Sequence, residues 1–174
     1  MSTDYAQMVE GCRRHDRRAQ RTLYETFAPM AMGVCMRFAT DRDAAQDLLQ
    51  DGFVRVFEKI GQVHDAEQLG AWIYRLMLNV CIKACRRRRM AYIDDVPEDE
   101  GVLPLDPFAA EEVVMALQRI APAQRAVFNL VVVEGYSFAE VASAMHCSEV
   151  NVRALLSRAK ACLRNLLTEE NKQI

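Results

Sequence analysis

The chain has 174 residues, 51% of them hydrophobic and 7% aromatic, and a formal net charge of −2. That length supports one or two small domains with packed cores, and no apolar run approaches the roughly 18 residues of a membrane span. The charge is uneven: residues 1–90 carry a net +4, residues 91–112 a net −8 and residues 113–174 a net +2. Two mildly basic blocks therefore flank an acidic strip, and nucleic-acid binding depends on such local patches rather than on the total.

With 7 Gly, 5 Pro and no alternating strand pattern, the expected fold is all-α. Asp16 is expected to cap a helix through Ala19, Leu23 and Phe27, with Pro29 a kink or break. Apolar spacing resumes through Met32, Cys35, Met36 and Ala39. Thr40 stands three residues before Asp43 like a capping box, opening a helix with Ala45, Leu48, Leu49, Phe53, Val56, Phe57 and Ile60 at helical spacing, and Gly61 ends it. A polar segment, Gln62 to Glu67, precedes a helix capped by Asp65 that carries Leu69, Trp72, Ile73, Leu76, Val80 and Ile82 into the run Arg86-Arg87-Arg88-Arg89. These elements make a first domain of residues 5–90.

From Met90 to about Phe108 the periodicity fails, broken by Pro97, Gly101, Pro104 and Pro107, and the acidic residues cluster there. Residues 91–109 are accordingly expected to be an acidic linker. The second domain, 110–174, begins with a helix over Ala110–Ile120 and a turn at Ala121-Pro122-Ala123, followed by a helix over Gln124–Glu134 that stops at Gly135. Ser137 and Glu140 form a capping box for the next helix, and after a break at His146-Cys147-Ser148 a last helix, capped by Ser148, reaches Leu167.

Those last two helices, joined by a tight turn, have the layout of a helix-turn-helix, which places its second helix in the major groove of DNA. On that helix Val152, Leu156, Ala159 and Leu163 share one arc and should face the core. The opposite arc holds Val150, Asn151, Arg153, Ala154, Ser157 and Arg158, and Asn and Arg are side chains that pair with base edges or phosphate. The plain alternative is an amphipathic surface helix. A second candidate is the helix from Leu69, where Arg75, Asn79, Lys83 and Arg86 recur at three- and four-residue spacing beside Trp72 and Tyr74. Aromatic faces accept unstacked bases, though a solvated face beside a core Trp is the plainer reading of the pattern alone. The helix Asp47–Ile60 is either a core helix with a solvated face or a docking surface for a partner helix.

Signals of catalysis are poor. Cys81 and Cys85 lie one helical turn apart, but no second Cys/His pair completes a metal site. No phosphate loop or hydrolase motif occurs, so no cofactor, metal or enzymatic activity is expected. Six cysteines, Cys12, Cys35, Cys81, Cys85, Cys147 and Cys162, are scattered. With no signal-peptide core visible, the expected compartment is the cytosol, where thiols are reduced and behave as small apolar residues.

In order and spacing these residues resemble the bacterial sigma-70 family, in particular the two-domain extracytoplasmic-function (ECF) sigma factors. Leu23-Tyr24-Glu25 to Phe27-Ala28-Pro29, Asp41-Arg42-Asp43-Ala44-Ala45-Gln46-Asp47-Leu48-Leu49-Gln50-Asp51, Trp72-Ile73-Tyr74-Arg75 with Asn79, and the Arg run are similar to sigma region two. Val127-Phe128-Asn129-Leu130, Glu134-Gly135-Tyr136-Ser137, Glu140-Val141-Ala142, and Val152-Arg153 with Ser157-Arg158-Ala159-Lys160 are similar to region four.

The resemblance implies that the helix bearing Asp47, Gln50, Asp51, Val54, Arg55 and Glu58 docks on the clamp helices of the largest subunit of core RNA polymerase. It implies that His64, Trp72, Arg75, Asn79, Lys83 and Arg86 open and hold the minus-ten element. Asn151, Arg153, Ala154, Ser157 and Arg158 would read the minus-thirty-five element, the polymerase flap and an anti-sigma factor being further partners. Three positions depart from the family pattern: His146 replaces a turn glycine, Leu155 stands where Arg is common, and Gly52 interrupts the docking helix. The alternative function is a stand-alone helix-turn-helix regulator with an N-terminal sensing or dimerisation domain, redox-tuned through Cys81 and Cys85.

Overall fold

The structure, a computed structural model, describes residues 4–89 and 110–170, with the side chains of 88, 89, 110, 169 and 170 left aside. The expected acidic linker lies outside the described residues. Eight α-helices are present among them: α1 Tyr5–Arg13, α2 Arg17–Phe38, α3 Arg42–Lys59, α4 Leu69–Arg89, α5 Ala110–Arg119, α6 Pro122–Phe128, α7 Phe138–Met145 and α8 Glu149–Glu170. No strand occurs among the described residues, in line with the all-α expectation. The chain divides into two compact units, Met1–Met36 with Arg42–Cys81, and Arg37–Asp41 with Ile82–Ile174. The division falls inside α4 rather than at its end.

In the first unit, α1 was not evident from the sequence pattern. Asp4 caps it, its carboxylate accepting the Gln7 N–H at 3.1 Å, and Met8, Val9 and Cys12 are its buried face. The helix ends at His15, whose φ of 59° puts a non-glycine residue in the left-handed region. The His15 N–H reaches the Cys12 carbonyl at 3.0 Å and the Asp16 N–H that of Gly11 at 3.0 Å, a paired closure of the helix C-terminus. Asp16 caps α2 as expected, accepting the Arg18 N–H at 2.7 Å.

Helix α2 continues through Pro29, so the expected break does not occur. The proline is on the exposed face, and Leu23, Phe27, Ala31, Val34, Cys35 and Phe38 are buried on both sides of it. Burial of that stripe, at about 1.5–3 kcal/mol per large side chain, outweighs the roughly 3 kcal/mol of an interior proline. Helix α3 begins at Arg42. The Thr40 hydroxyl does not close a box onto Asp43 but donates to the Asp41 carboxylate at 3.0 Å.

Helices α3 and α4 approach closely at Gly52, which is buried. A Cβ there would overlap the sulfur of Met77, itself fully buried. The glycine therefore sacrifices about 1 kcal/mol of helix propensity to admit a large apolar side chain from α4. Nearby, Cys35 of α2 and Cys81 of α4 are both buried, and a hydrogen bond from the Cys81 thiol holds Cys35 below its ordinary value against the opposing effect of burial. Short 3-10 turns, Ile60–Gln62 and Ala66–Gln68, enclose the segment before α4.

The second unit packs α5, α6 and α7 against α8. Helix α6 starts with Pro122 in its first turn, where the missing N–H is no loss. It widens after Phe128 into a π-helical stretch, Asn129–Val133, before Gly135 reverses the chain at φ 74°. Arg125 is buried to 1% exposure. Its guanidinium donates to the carbonyls of Leu117 at 2.7 Å, Gln118 at 3.2 Å and Ile120 at 2.8 Å, completing the C-terminal end of α5. A charge at that end is favoured by the helix dipole, and only a planar fork reaches several carbonyls at once. Arg125→Met is expected to destabilise the chain by about 3 kcal/mol or more in urea unfolding, because it orphans buried carbonyls, and Arg125→Lys should recover only a fraction of that loss.

Candidate nucleic-acid interface

The outer face of α3 is built by what its inner face must bury. Ala45, Leu49, Gly52, Phe53 and Val56 are inside, and this turns Asp47, Gln50, Asp51, Val54 and Glu58 to solvent, with Arg55 half-buried. Beside them an apolar groove of about 480 Å³ is lined by Tyr24, Met32, Leu49, Phe53, Val54 and Phe57. Tyr24 and Phe53 form its floor with ring centroids 4.7 Å apart. The helical spacing of Phe53 and Phe57 marks one stripe of α3; that Tyr24 of α2 completes an open trough with them has no signature in α3 alone.

Along α4, Leu69, Ile73, Met77, Val80 and Cys81 are buried. Arg75 and Asn79 consequently face solvent, while Trp72, Lys83 and Arg86 are half-buried. His64 is exposed on the preceding segment. That segment is anchored: the Arg13 guanidinium donates to the Val63 carbonyl, and Asp65 accepts the Glu67 N–H at 3.0 Å, capping the 3-10 turn Ala66–Gln68 that leads into α4 rather than α4 itself. Of the Arg run, Arg87 is exposed.

In the second unit the Ser137–Glu140 capping box forms in both directions, the Glu140 N–H meeting Ser137 Oγ at 3.3 Å and the Ser137 N–H meeting Glu140 Oε2 at 2.8 Å. The Ser137 hydroxyl bond and then its backbone bond hold the Glu140 carboxyl below its ordinary value. This stabilisation is thus present above the ordinary carboxylate range and lost as pH falls through the lowered value. Helix α7 ends at His146, in the left-handed region at φ 53°. The Cys147 N–H reaches the Ala142 carbonyl at 2.9 Å and the His146 N–H that of Ser143 at 3.3 Å. A histidine therefore makes this left-handed turn, a conformation that glycine adopts without strain. Ser148 caps α8, its Oγ accepting the Asn151 N–H at 3.2 Å.

On α8, Val152, Leu156, Ala159 and Leu163 are buried as the spacing predicts, and so are Leu155 and Ser157. Ser157 was expected on the outward arc; it is 7% exposed. The reason is that α5, α6 and α7 all contact α8, so the covered arc is wider than the narrow stripe of a helix on a single neighbour. Leu155 is a core position. Arg153 is exposed, Asn151, Ala154 and Arg158 are half-buried. Arg153 pairs with Glu149 at 3.8 Å, and its guanidinium carbon stands 4.5 Å from the ring centroid of Phe138 at the start of α7. Phe138 was not singled out from the sequence. Among the described residues no group of three or more His, Cys, Asp or Glu side chains is placed to hold a metal ion.

The sigma-70 region 2 model matches residues 23–90 and the sigma-70 region 4 model residues 110–163. The chain belongs to the sigma-70 family. It is similar to the RNA polymerase sigma-H factor of Pseudomonas aeruginosa, 26% identical over 92% of each chain. It is also similar to the ECF RNA polymerase sigma factor SigM of Mycobacterium tuberculosis, 30% identical over 71% of this chain and 64% of SigM. The sigma factor RpoE of Bartonella quintana, solved with the anti-sigma factor NepR, shares the fold with a TM-score of 0.51 at 21% identity, covering 85% of this chain and 96% of that one. The chain is thus an ECF-type sigma factor, a member of a family of transcription initiation factors. No helix among the described residues is long and apolar enough to cross a membrane.

The left-handed His146 carries the steric penalty of a Cβ, about 1–2 kcal/mol. His146→Gly is accordingly expected to raise stability by roughly 0.5–1 kcal/mol after the entropy of the unfolded glycine is discounted, read as a shift of the urea midpoint. An unchanged midpoint would mean that the turn carries no strain.

Proposed function

We propose that residues 5–90 dock this sigma factor on core RNA polymerase and capture the minus-ten element, that residues 91–109 act as the acidic linker, and that residues 110–174 bind the minus-thirty-five element. Asp47, Gln50, Asp51, Val54, Arg55 and Glu58 meet the clamp helices of the largest subunit. His64, Trp72, Arg75, Asn79, Lys83 and Arg86 hold the opened strand, and Asn151, Arg153, Ala154 and Arg158 contact the upstream duplex. The burial of Ser157 argues for a supporting rather than a contacting role at that position. The second unit also meets the polymerase flap, and an anti-sigma factor covers one or both units when the factor is idle. The chain adds no catalytic group of its own and works in the cytoplasm, where polymerase and promoters are.

The observation that carries this reading is the outward presentation of Arg75 and Asn79 on α4 together with a capped helix-turn-helix in α7 and α8. An opened strand needs cationic and aromatic groups at hand, and the duplex needs a helix end aimed at its groove. Two sites mounted on one machine bind as a bivalent ligand, so neither requires high affinity alone.

Run-off transcription with purified core polymerase on a library of promoter fragments tests the whole. The expected outcome is initiation at a subset of promoters only when the chain is added. A chain that shifts DNA without polymerase and fails to direct initiation would instead be the stand-alone regulator.

Asp51→Arg, at an exposed position, should weaken binding to core about tenfold or more in a fluorescence titration while leaving the unfolding transition in place. Arg153→Ala should reduce the slope of log affinity against log salt by about 1 for the holoenzyme on promoter DNA, and an unaltered slope would remove Arg153 from the phosphate contacts.

A further inference from the structure

The first turn of α8 holds the most exposed of the large apolar side chains among the described residues, Val150, at 68%. Singly exposed apolar residues are ordinary on protein surfaces; it is the place of this one that gives it meaning. It lies two residues into the second helix of a helix-turn-helix, where side chains reach base edges. Ser148 fixes the helix start beneath it. Ala154, one turn on, is half-buried and continues the same apolar strip, since positions four apart share a helix face. Asn151 and Arg153 flank the strip. Arg153 is drawn aside, stacked on Phe138 of α7 and paired with Glu149, and so toward the helix that crosses the DNA backbone in this motif. The strip is left free to enter the groove.

The major groove offers one methyl group, the C5-methyl of thymine; the other base pairs present donors and acceptors there, with only the small C5–H of cytosine at the methyl's place. An apolar side chain carried into that groove has that methyl as its favourable partner, and against any other base it strips water from a polar edge without replacing the bond. Resting on the reading of α7 and α8 as the upstream-element reader, we propose that Val150 is a specificity-determining residue that packs against a thymine methyl in the minus-thirty-five element. Ala154 extends the contact, and Arg153 fixes the register from the phosphate side.

The test uses the holoenzyme. An upstream element is first selected from randomised promoter DNA by binding and run-off transcription, and each thymine on either strand is then replaced in turn by deoxyuridine, which lacks only the methyl. At one position the replacement should lower affinity on the order of fourfold, the transfer worth of one buried methyl group. Val150→Ala should lose a similar factor on the thymine promoter and show no further loss on the deoxyuridine one. Val150 is exposed, so the alanine variant keeps the fold, and its unfolding midpoint checks this. The proposal is overturned by a selected element in which every thymine tolerates deoxyuridine. It is overturned equally by a Val150→Ala variant that remains as sensitive to the missing methyl as the parent. Selection of no upstream element at all is a different failure: it removes the reading of α8 as a promoter reader, and the proposal with it.

Discussion

The packing of three helices, α5, α6 and α7, on α8 governs what the second unit can do. A helix resting on one neighbour presents more than half of its circumference to solvent. Here α5, α6 and α7 all press on α8, and Val152, Leu155, Leu156, Ser157, Ala159 and Leu163 are taken into the interior. In its first two turns Val150 and Arg153 stay exposed and Asn151 and Ala154 half-buried, followed by a half-buried Arg158. A rigidly held element presents a site more precisely than a loop does. The buried carbonyl bonds of Arg125 serve the same end, because they close α5, one of the three helices that hold α8 in place.

The first unit solves a related problem by subtraction. Helix α3 must bury Leu49, Phe53 and Val56 while keeping Asp47, Gln50 and Asp51 outside, which fixes its rotation about its own axis. Removing the side chain at residue 52 lets Met77 of α4 enter the space. The same approach fixes the rotation of α4, so that Arg75 and Asn79 point outward on the far side from Met77. The two exposed faces, one acidic and one basic, are consequences of a single close packing event between helices.

Much of this was legible because helical periodicity is a strong signal over long segments. The inward stripes of α3, α4 and α8, and the caps at Asp16, Asp65, Ser137 and Ser148, follow from residue type and spacing. The misreadings have specific physical origins. Pro29 suggested a break, but local propensity yields when an apolar stripe continues on both sides of an exposed ring. Helix α1 is too short for its three buried residues to stand out. Ser157 lies on the polar arc of the sequence wheel, yet the width of the covered arc depends on how many neighbours α8 has, which no single segment encodes. The stacking of Arg153 on Phe138 joins residues of different helices, and its only hint in the sequence is an aromatic at the start of α7.

His15 and His146 show how helix ends and function share constraints. Each closes a helix with the same pair of backbone bonds, and each does so in a conformation that glycine adopts freely and histidine does not. At His146 the left-handed residue sets the angle at which α8 leaves α7, and so the direction in which its capped first turn points. A glycine there would hold the same turn with less strain but with a wider range of accessible backbone angles. The histidine narrows that range at a small cost in stability. For a reader that distinguishes bases by a methyl group, an entry angle held within a narrow range matters more than a fraction of a kcal/mol of folding energy, because a displacement on the order of 1 Å is enough to lose a close contact.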